Sequence, residues 1–492
     1  MDGDGGTGTQ APRPVRFAVI GAGMAGLLSA IKLKEAGLTD FTVYEKADRV
    51  GGTWRENTYP GLSCDVPSHL YSYSFAPTPE WSHRYSPGAE IQEYFERIAH
   101  ENEIQRHIRF GDEVTSCRFA NGKWHLETAG GHRDDVDVVI AATGVLHHPK
   151  LPEIAGLDEF KGAMFHSSRW DHDVPLDGAR VGIIGTGSTA VQMVSALVDR
   201  VAELSLFQRT AQWVLQQDNP PYTDEQREDF RQDPARLTEL RSQLTQFFDM
   251  FANAIVDAES PEMQMVAEAC RMNLDDNVRD PELRERLRPD YQAACKRLII
   301  SPDFYDAIQQ PNAQLVTEAI DRVEPVGIRT RDGQLHELDV LILATGFKTD
   351  AFVRPMAVIG RNGETLENAW AARPSAYLSI SIPGFPNFFM LNGPNGPVGN
   401  FSLIEVAELQ FAYIMQLIER LRSGECREIS ATREATEQFE AERVEATTKT
   451  VWVTGCRSWY LDDRGIPATW PWSFDRFRAE MRSPAPAAFE SR

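Results

Sequence analysis

Two glycine-rich stretches have the residue types and spacing to hold dinucleotides. The first is GAGMAG at residues 21–26. An apolar, strand-like run over residues 15–20 precedes it, and an amphipathic helical segment follows to about residue 36. A second strand, FTVYEK, then ends at Glu45. Strand, glycine loop, helix, strand and acid in this order form a complete dinucleotide fingerprint. Gly21 permits the tight turn, Gly23 lets the backbone approach a pyrophosphate, and Gly26 lets helix and strand pack closely. The helix start offers free N–H groups and a positive dipole end to phosphates, and Glu45 can accept from an adenosine ribose.

The second stretch is GTGSTA at residues 185–190, with Gly185, Thr186, Gly187 and Ser188 in the loop and Ala190 in place of the third glycine. A strand over residues 180–184 precedes it and a helix follows to about residue 198. The next strand runs into Gln208-Arg209-Thr210. No acid stands at the ribose-reading position. An arginine there binds a 2′-phosphate that an acid would repel, so the sequence points to NADPH rather than NADH.

The elements that position these loops follow from the rest of the chain. Its 492 residues suffice for about two to four domains. With 42% hydrophobic and 25% charged residues the composition is that of a soluble globular protein. No apolar run approaches the roughly 20 residues of a membrane helix. A formal net charge of −22 argues against nucleic acid and anionic membranes as partners. Residues 1–14, Gly- and Pro-rich and acidic, read as a disordered leader without the apolar core of a signal peptide. The six cysteines include no close pair, so a disulfide framework, a metal site and a dithiol redox centre are all unexpected, and the chain reads as reduced and cytoplasmic.

A strand over residues 136–141 ends in ATG at 142–144, and another over 338–343 ends in a second ATG at 344–346. Residues 223–295 show no strand pattern, and Leu244, Phe247, Phe248 and Phe251 recur at helical spacing. Packing is the expected role of those four. The fold class is therefore α/β, with two Rossmann-like dinucleotide-binding domains and a helical insertion. The expected boundaries are 15–148 with 348–492, 149–222 with 296–347, and 223–295 for the insertion.

Two further patterns are more specific. Phe160, Gly162, His166, Trp170 and Asp171 fit F-x-G-x-x-x-H-x-x-x-W-P/D between the two loops. Gly52, Trp54, Tyr59, Pro60, Gly61 and Asp65 fit [A/G]-G-x-W-x-x-x-x-[F/Y]-P-[G/M]-x-x-x-D. Together they resemble the signatures of type I Baeyer–Villiger monooxygenases, flavoenzymes that use FAD, NADPH and O2 to turn a ketone into an ester or lactone through a flavin peroxide. The resemblance runs from Val15 to about Trp459. It implies that Gly52, Thr53, Trp54, Asp65 and Tyr71 lie at the flavin, and that Gly185, Thr186, Gly187, Ser188, Arg209, Thr210, Lys296 and Trp459 lie at NADPH.

Read alone, Lys296 and Arg297 are two charges before an apolar strand, and Asp65 is a turn carboxylate. By the resemblance, Lys296 binds the NADP phosphate, Arg297 is the catalytic arginine and Asp65 orients it. His166 is assigned to the interdomain linker, and NGPNGPVGN at 392–400 to a loop brought to the flavin ring. The tail IPATWPWSF departs from the usual Gly/Pro-rich ending. A flavin monooxygenase acting on nitrogen or sulfur is the alternative, and it would need neither Arg297 nor Asp65. A disulfide reductase would need a redox cysteine pair.

Overall fold

In the computed structural model, described over residues 13–399 and 401–492, two parallel sheets carry the two glycine loops. Residues 1–12 of the expected leader lie outside the described residues. Arg13 donates its amide to the Arg422 carbonyl and its guanidinium pairs with Asp137 at 2.8 Å.

β1 (Phe17–Ile20) is buried at every position. It leads into α1 (Met24–Glu35), and β2 (Phe41–Tyr44) returns beside β1 in parallel. β3 (Val138–Ala141) pairs on the other side of β1. Phe388–Met390 and Ile108–Arg109 complete the five-stranded order at its edges. Helices cover such a sheet on both faces, which is why its strands read as unbroken apolar runs rather than alternating ones. Gly26 holds α1 close: a Cβ there would lie 1.8 Å from the Gly21 carbonyl oxygen.

The second sheet repeats the plan. β4 (Arg180–Ile184), α2 (Ser188–Leu197) and β5 (Glu203–Phe207) form the unit around the second loop. The insertion follows as the helices Asp224–Gln232, α3 (Pro234–Val256), Pro261–Asn277 and Pro281–Leu287. β6 (Val340–Leu343) then pairs in parallel with β4 and with Ala163–His166. The two chain crossings that leave β3 and β6 run side by side: the Lys150 amide donates to Gly346, and the Lys348 amide to His148, each at 2.8 Å.

The insertion's starts are written in its sequence. Asp233-Pro234, Ser260-Pro261 and Asp280-Pro281 each place a side-chain acceptor before a proline at the first helical turn, and each side chain accepts a first-turn amide. Leu244 and Ala252 of α3 enter the core around the first sheet, while Ala254 and Ile255 enter a separate cluster with Cys295, Trp452 and Tyr460. Phe248 packs against the first and Phe251 against the second. Phe247 departs from the expected packing: at 41% exposed it points outward, because the buried stripe of α3 passes through its neighbours.

The cysteine expectation is also overturned. Cys295 and Cys456 form a disulfide, with Cα atoms 6.1 Å apart. They are 161 residues apart in sequence, so no local spacing announces the pair. Cys64, Cys117, Cys270 and Cys426 are free and buried. Among the described residues no group of His, Cys, Asp and Glu could hold a metal, and no helix is long and apolar enough to cross a membrane.

Candidate active site

α1 starts at Gly23 and no side chain caps it. Its first-turn N–H groups are thus available, as an anion site requires. Gly23 faces Gly52 backbone to backbone; a Cβ on Gly52 would lie 3.0 Å from the Gly23 Cα. Glu45 sits beneath this loop, 5% exposed. One carboxylate oxygen accepts from the Ala22 amide at 2.8 Å, and the other accepts from the Ala47 amide and pairs with Arg55 at 3.0 Å. Glu45 therefore closes the loop, and the first oxygen has a lone pair left for a ribose hydroxyl.

The short helix Thr53–Glu56 follows Gly52. From it the Trp54 indole donates to the Tyr71 hydroxyl at 3.2 Å, and the two rings meet edge-on at 5.6 Å. Burial pushes the Tyr71 phenol far up, so it stays a neutral donor.

α2 starts at Gly187, also without a side-chain cap. A Cβ on Gly187 would meet no heavy atom within 4 Å, and its φ of −74° suits any residue. Nothing inside the protein requires glycine there, which fits close approach by a bound group at this helix start. The Thr186 hydroxyl donates to the Thr210 carbonyl at 2.9 Å and draws the end of β5 to the loop. Arg209 is exposed beside Lys296. Burial, and then the charge of Arg209, lower the Lys296 ammonium; the opposing influence of Asp290 is smaller. Lys296 lies 4.7 Å over the Tyr291 ring. Neither cation has a carboxylate within ion-pair distance among the described residues. Two unpaired cations beside an uncapped helix start suit a phosphate.

Arg297 gathers partners from three other parts of the chain. Its Nε and Nη2 donate to Asp65 Oδ2 at 3.2 and 2.5 Å, and its Nη1 donates to the Gly399 carbonyl. The Tyr460 hydroxyl lies against the same guanidinium. Burial alone would lower the arginine's pKa, but Asp65 and Tyr460 outweigh it and hold the charge in place. The side chains of Arg297 and Asp65 are 30% and 26% exposed, so the pair remains open to a small molecule. Asp65 is brought there by a segment wedged against α2. The Tyr59 hydroxyl donates to Gln192 at 2.9 Å, the Gln192 amide donates to the Ser63 carbonyl at 3.0 Å, and a Cβ on Gly61 would lie 2.5 Å from the Gln192 carbonyl oxygen.

The loop that supplies Gly399 contains Asn392 and Asn395, both buried and left-handed, with φ of 53° and 67°. Their side-chain oxygens have no hydrogen-bond partner among the described residues. α4 (Leu403–Arg422) begins just beyond, again without a side-chain cap. Buried orphan acceptors beside free helix donors match a polar heterocycle such as a flavin. Asn400 lies outside the described residues. On the tail, Trp459 is 40% exposed and its ring lies 4.1 Å from that of the buried Tyr460.

His166 is fully engaged elsewhere. Its Nδ1 bonds with the Ser168 hydroxyl at 2.9 Å and its Nε2 with the Gly346 carbonyl at 3.0 Å. Burial lowers its pKa, so the neutral ring ties the 160–171 stretch to the second crossing. Sequence reasoning placed the loop of Gly399 near the flavin but missed its carbonyl as a partner of Arg297, and it missed Tyr460 and the Cys295–Cys456 bond. Tyr460 stands next to a residue already singled out, whereas the disulfide carries no local signal.

The flavin-binding monooxygenase-like family model matches residues 14–223. An uncharacterized monooxygenase of Mycobacterium tuberculosis is 49% identical over 475 residues, covering 96% of each chain. A Baeyer–Villiger monooxygenase of Streptomyces coelicolor is 39% identical over 473 residues, covering 95% of this chain and 91% of its own. The crystal structure of cyclohexanone monooxygenase from Rhodococcus sp. Phi1 bound to NADP+ superimposes with a TM-score of 0.86 at 29% identity, covering 98% of this chain and 100% of that one. With both nucleotide loops, the paired Arg297 and Asp65, and a Baeyer–Villiger relative matched over 91% of its length, this chain belongs to the flavin-dependent Baeyer–Villiger monooxygenases.

Proposed function

We propose that this protein uses FAD, NADPH and O2 to convert a small-molecule ketone into an ester or lactone, in the cytoplasm. The observation that carries the reading is the Arg297 guanidinium held by Asp65 and the Gly399 carbonyl in a chain with two nucleotide loops. Residues 15–148 and 348–492 would hold FAD, residues 149–222 and 296–347 would hold NADPH, and the helices of 223–295 would cover the space between them.

Bound flavin supplies the electron transfer and oxygen chemistry. The chain supplies binding, orientation and charge. Gly21, Gly23 and Gly26 present the α1 start to the FAD pyrophosphate, Glu45 meets its ribose, and Gly52, Thr53, Trp54 and Tyr71 line its ring system. Gly185, Thr186, Gly187, Ser188 and Thr210 shape the NADPH site. Arg209 and Lys296 would bind its 2′-phosphate, and Trp459 would contact the nicotinamide cofactor. Negative charge builds on the ketone oxygen as its carbonyl carbon is attacked. A fixed guanidinium stabilises that charge and keeps its own proton throughout. Asp65 sets the plane and position of that guanidinium.

The test is a panel of aryl, cyclic and steroidal ketones with NADPH, alongside a thioether and a tertiary amine. Products are read by mass spectrometry and the site of oxygen insertion by NMR. A ketone that gains one oxygen as an ester supports the reading. Oxidation of the thioether or amine alone would move the protein to the heteroatom-oxidising class and leave Arg297 a structural residue.

A further inference from the structure

The bond between Cys295 and Cys456 joins two segments that meet at the candidate active site. Cys295 lies two residues before Arg297, and Cys456 four residues before Tyr460. Tyr460 is 3% exposed, its ring 5.5 Å from that of Trp452, and its hydroxyl lies against the Arg297 guanidinium. A Cβ added to Gly399 would lie 2.0 Å from that hydroxyl. Tyr460 thus touches both Arg297 and the glycine whose carbonyl Arg297 engages.

Apart from this link, the segment is held by packing of Cys456 and Tyr460 in one buried cluster with Trp452, and by the Tyr460 carbonyl, which accepts from the Ala468 amide at 2.7 Å. No main-chain N–H from residue 455 to residue 460 has a hydrogen-bond partner among the described residues. The next along, that of Leu461, bonds only back to Ser458 at 3.2 Å. The Ser458 hydroxyl is buried and unpartnered. Residues 455–459 thus lack main-chain donors in any ladder and depend mainly on side-chain packing and the covalent link.

We propose that Cys295–Cys456 is a redox-responsive staple that holds the C-terminal segment bearing Tyr460 on Arg297, so that the state of the cysteine pair sets how firmly this arginine is positioned. Tyr460 is then a positioning residue acting through Arg297. The inference rests on Arg297 being the charge-stabilising group. A dithiol reductant gives its two electrons and two protons to the pair, leaving two cysteine thiols and its own cyclic disulfide. Oxidised glutathione reverses this, taking the two electrons and two protons as two glutathione thiols. Cys456 is itself buried, but Thr454, Gly455 and Arg457 around it are exposed, so local opening of this unladdered stretch gives a thiolate access.

The experiment uses the FAD-loaded enzyme, treated with oxidised glutathione or with dithiothreitol and then freed of reagent. Peptide mapping after alkylation should find Cys295 joined to Cys456 in the first form and both alkylated in the second. Tryptic cutting after the exposed Arg457 should then be about fivefold faster in the reduced form, as a released segment opens more often. Ester formed per NADPH consumed should fall about threefold or more on reduction. Cys456→Ser should match the reduced form under both treatments. Tyr460→Phe should still form the disulfide and keep its KM for NADPH while losing about tenfold in ester formation, the loss of a hydroxyl that lies against a charged group.

Failure of oxidised glutathione to join the two cysteines in the folded holoenzyme overturns the proposal. So do equal tryptic rates in the two states, or equal ester yields where ester forms. Mapping and proteolysis need no ketone. A staple that forms and restrains the segment in a protein that oxidises no ketone therefore refutes the assigned reaction and leaves the staple standing.

Discussion

Replacing Arg297 separates chemistry from folding, because the structure gives different magnitudes for each. Three donor groups of the guanidinium are engaged, Nε and Nη2 with Asp65 and Nη1 with Gly399. A lysine has its three donors on one nitrogen and cannot reproduce the planar fork that spans both partners. The cost in stability is moderate. With side chains 30% and 26% exposed, the pair is half-buried, and leaving Asp65 partly solvated without its partner costs about 1 to 3 kcal/mol. The cost in rate is large, since removing one preorganised charge stabiliser typically costs about 100- to 1,000-fold, or roughly 2.7 to 4 kcal/mol. Arg297→Ala should therefore fold and retain its flavin, while ester formation falls at least about 100-fold. Arg297→Lys should recover little of it.

The assay pairs anaerobic stopped-flow reduction of the bound flavin by NADPH with aerobic ester quantification by gas chromatography. Asp65 acts through Arg297, so Arg297→Ala and the double variant with Asp65→Ala should lose the same ester rate within about threefold. If Arg297→Lys retains more than about half the wild-type ester rate, point charge suffices and the argument from the fork is refuted. An Asp65 loss that simply multiplies that of Arg297→Ala would give the carboxylate a role of its own.

Other consequences are open to simpler tests. Gly187→Ala adds a methyl where no protein atom lies within 4 Å, so it should leave Tm unchanged and raise KM for NADPH about tenfold or more; a lowered Tm would mean that the glycine serves the fold. Arg209→Gln removes an exposed cation beside Lys296. It should weaken NADPH about tenfold and leave NADH unchanged, so an equal effect on both would remove Arg209 from the 2′-phosphate site. His69 lies between Tyr222 and Phe230, and burial followed by the charge of Arg241 lowers its pKa to about 4. The folded state thus favours neutral His69, and its contribution is complete above the ordinary histidine pKa and lost as the pH falls toward 4. The loss is on the order of 3 kcal/mol at most. Thermal melts should show a decline from pH 7 to 4.5 that is shallower in His69→Phe, and parallel profiles would exclude His69 as its source.

The parts of this protein that sequence made legible are those encoded within a few residues of one another. The two glycine loops and their flanking strands are local devices, and each appears where its spacing puts it. Even Glu45, placed correctly at the end of β2, has its first partners in the backbone of its own loop. The pairing of Asp65 with Arg297 is of another kind. Asp65 and Arg297 are 232 residues apart, and no property of either segment demands the other. Only the family resemblance joined them in the sequence. Cys295 and Cys456 had no such guide, because pairing depends on the fold bringing two Cα atoms within reach, and a reading based on close spacing excluded them. Both long-range links end at the same place: Arg297, its carboxylate, the Gly399 carbonyl and the tyrosine of the stapled tail come from four distant parts of the chain. A group that must be fixed in orientation while remaining open to substrate cannot be supported by one rigid element, so its constraints converge from several, and a sequence read in windows sees each of them alone.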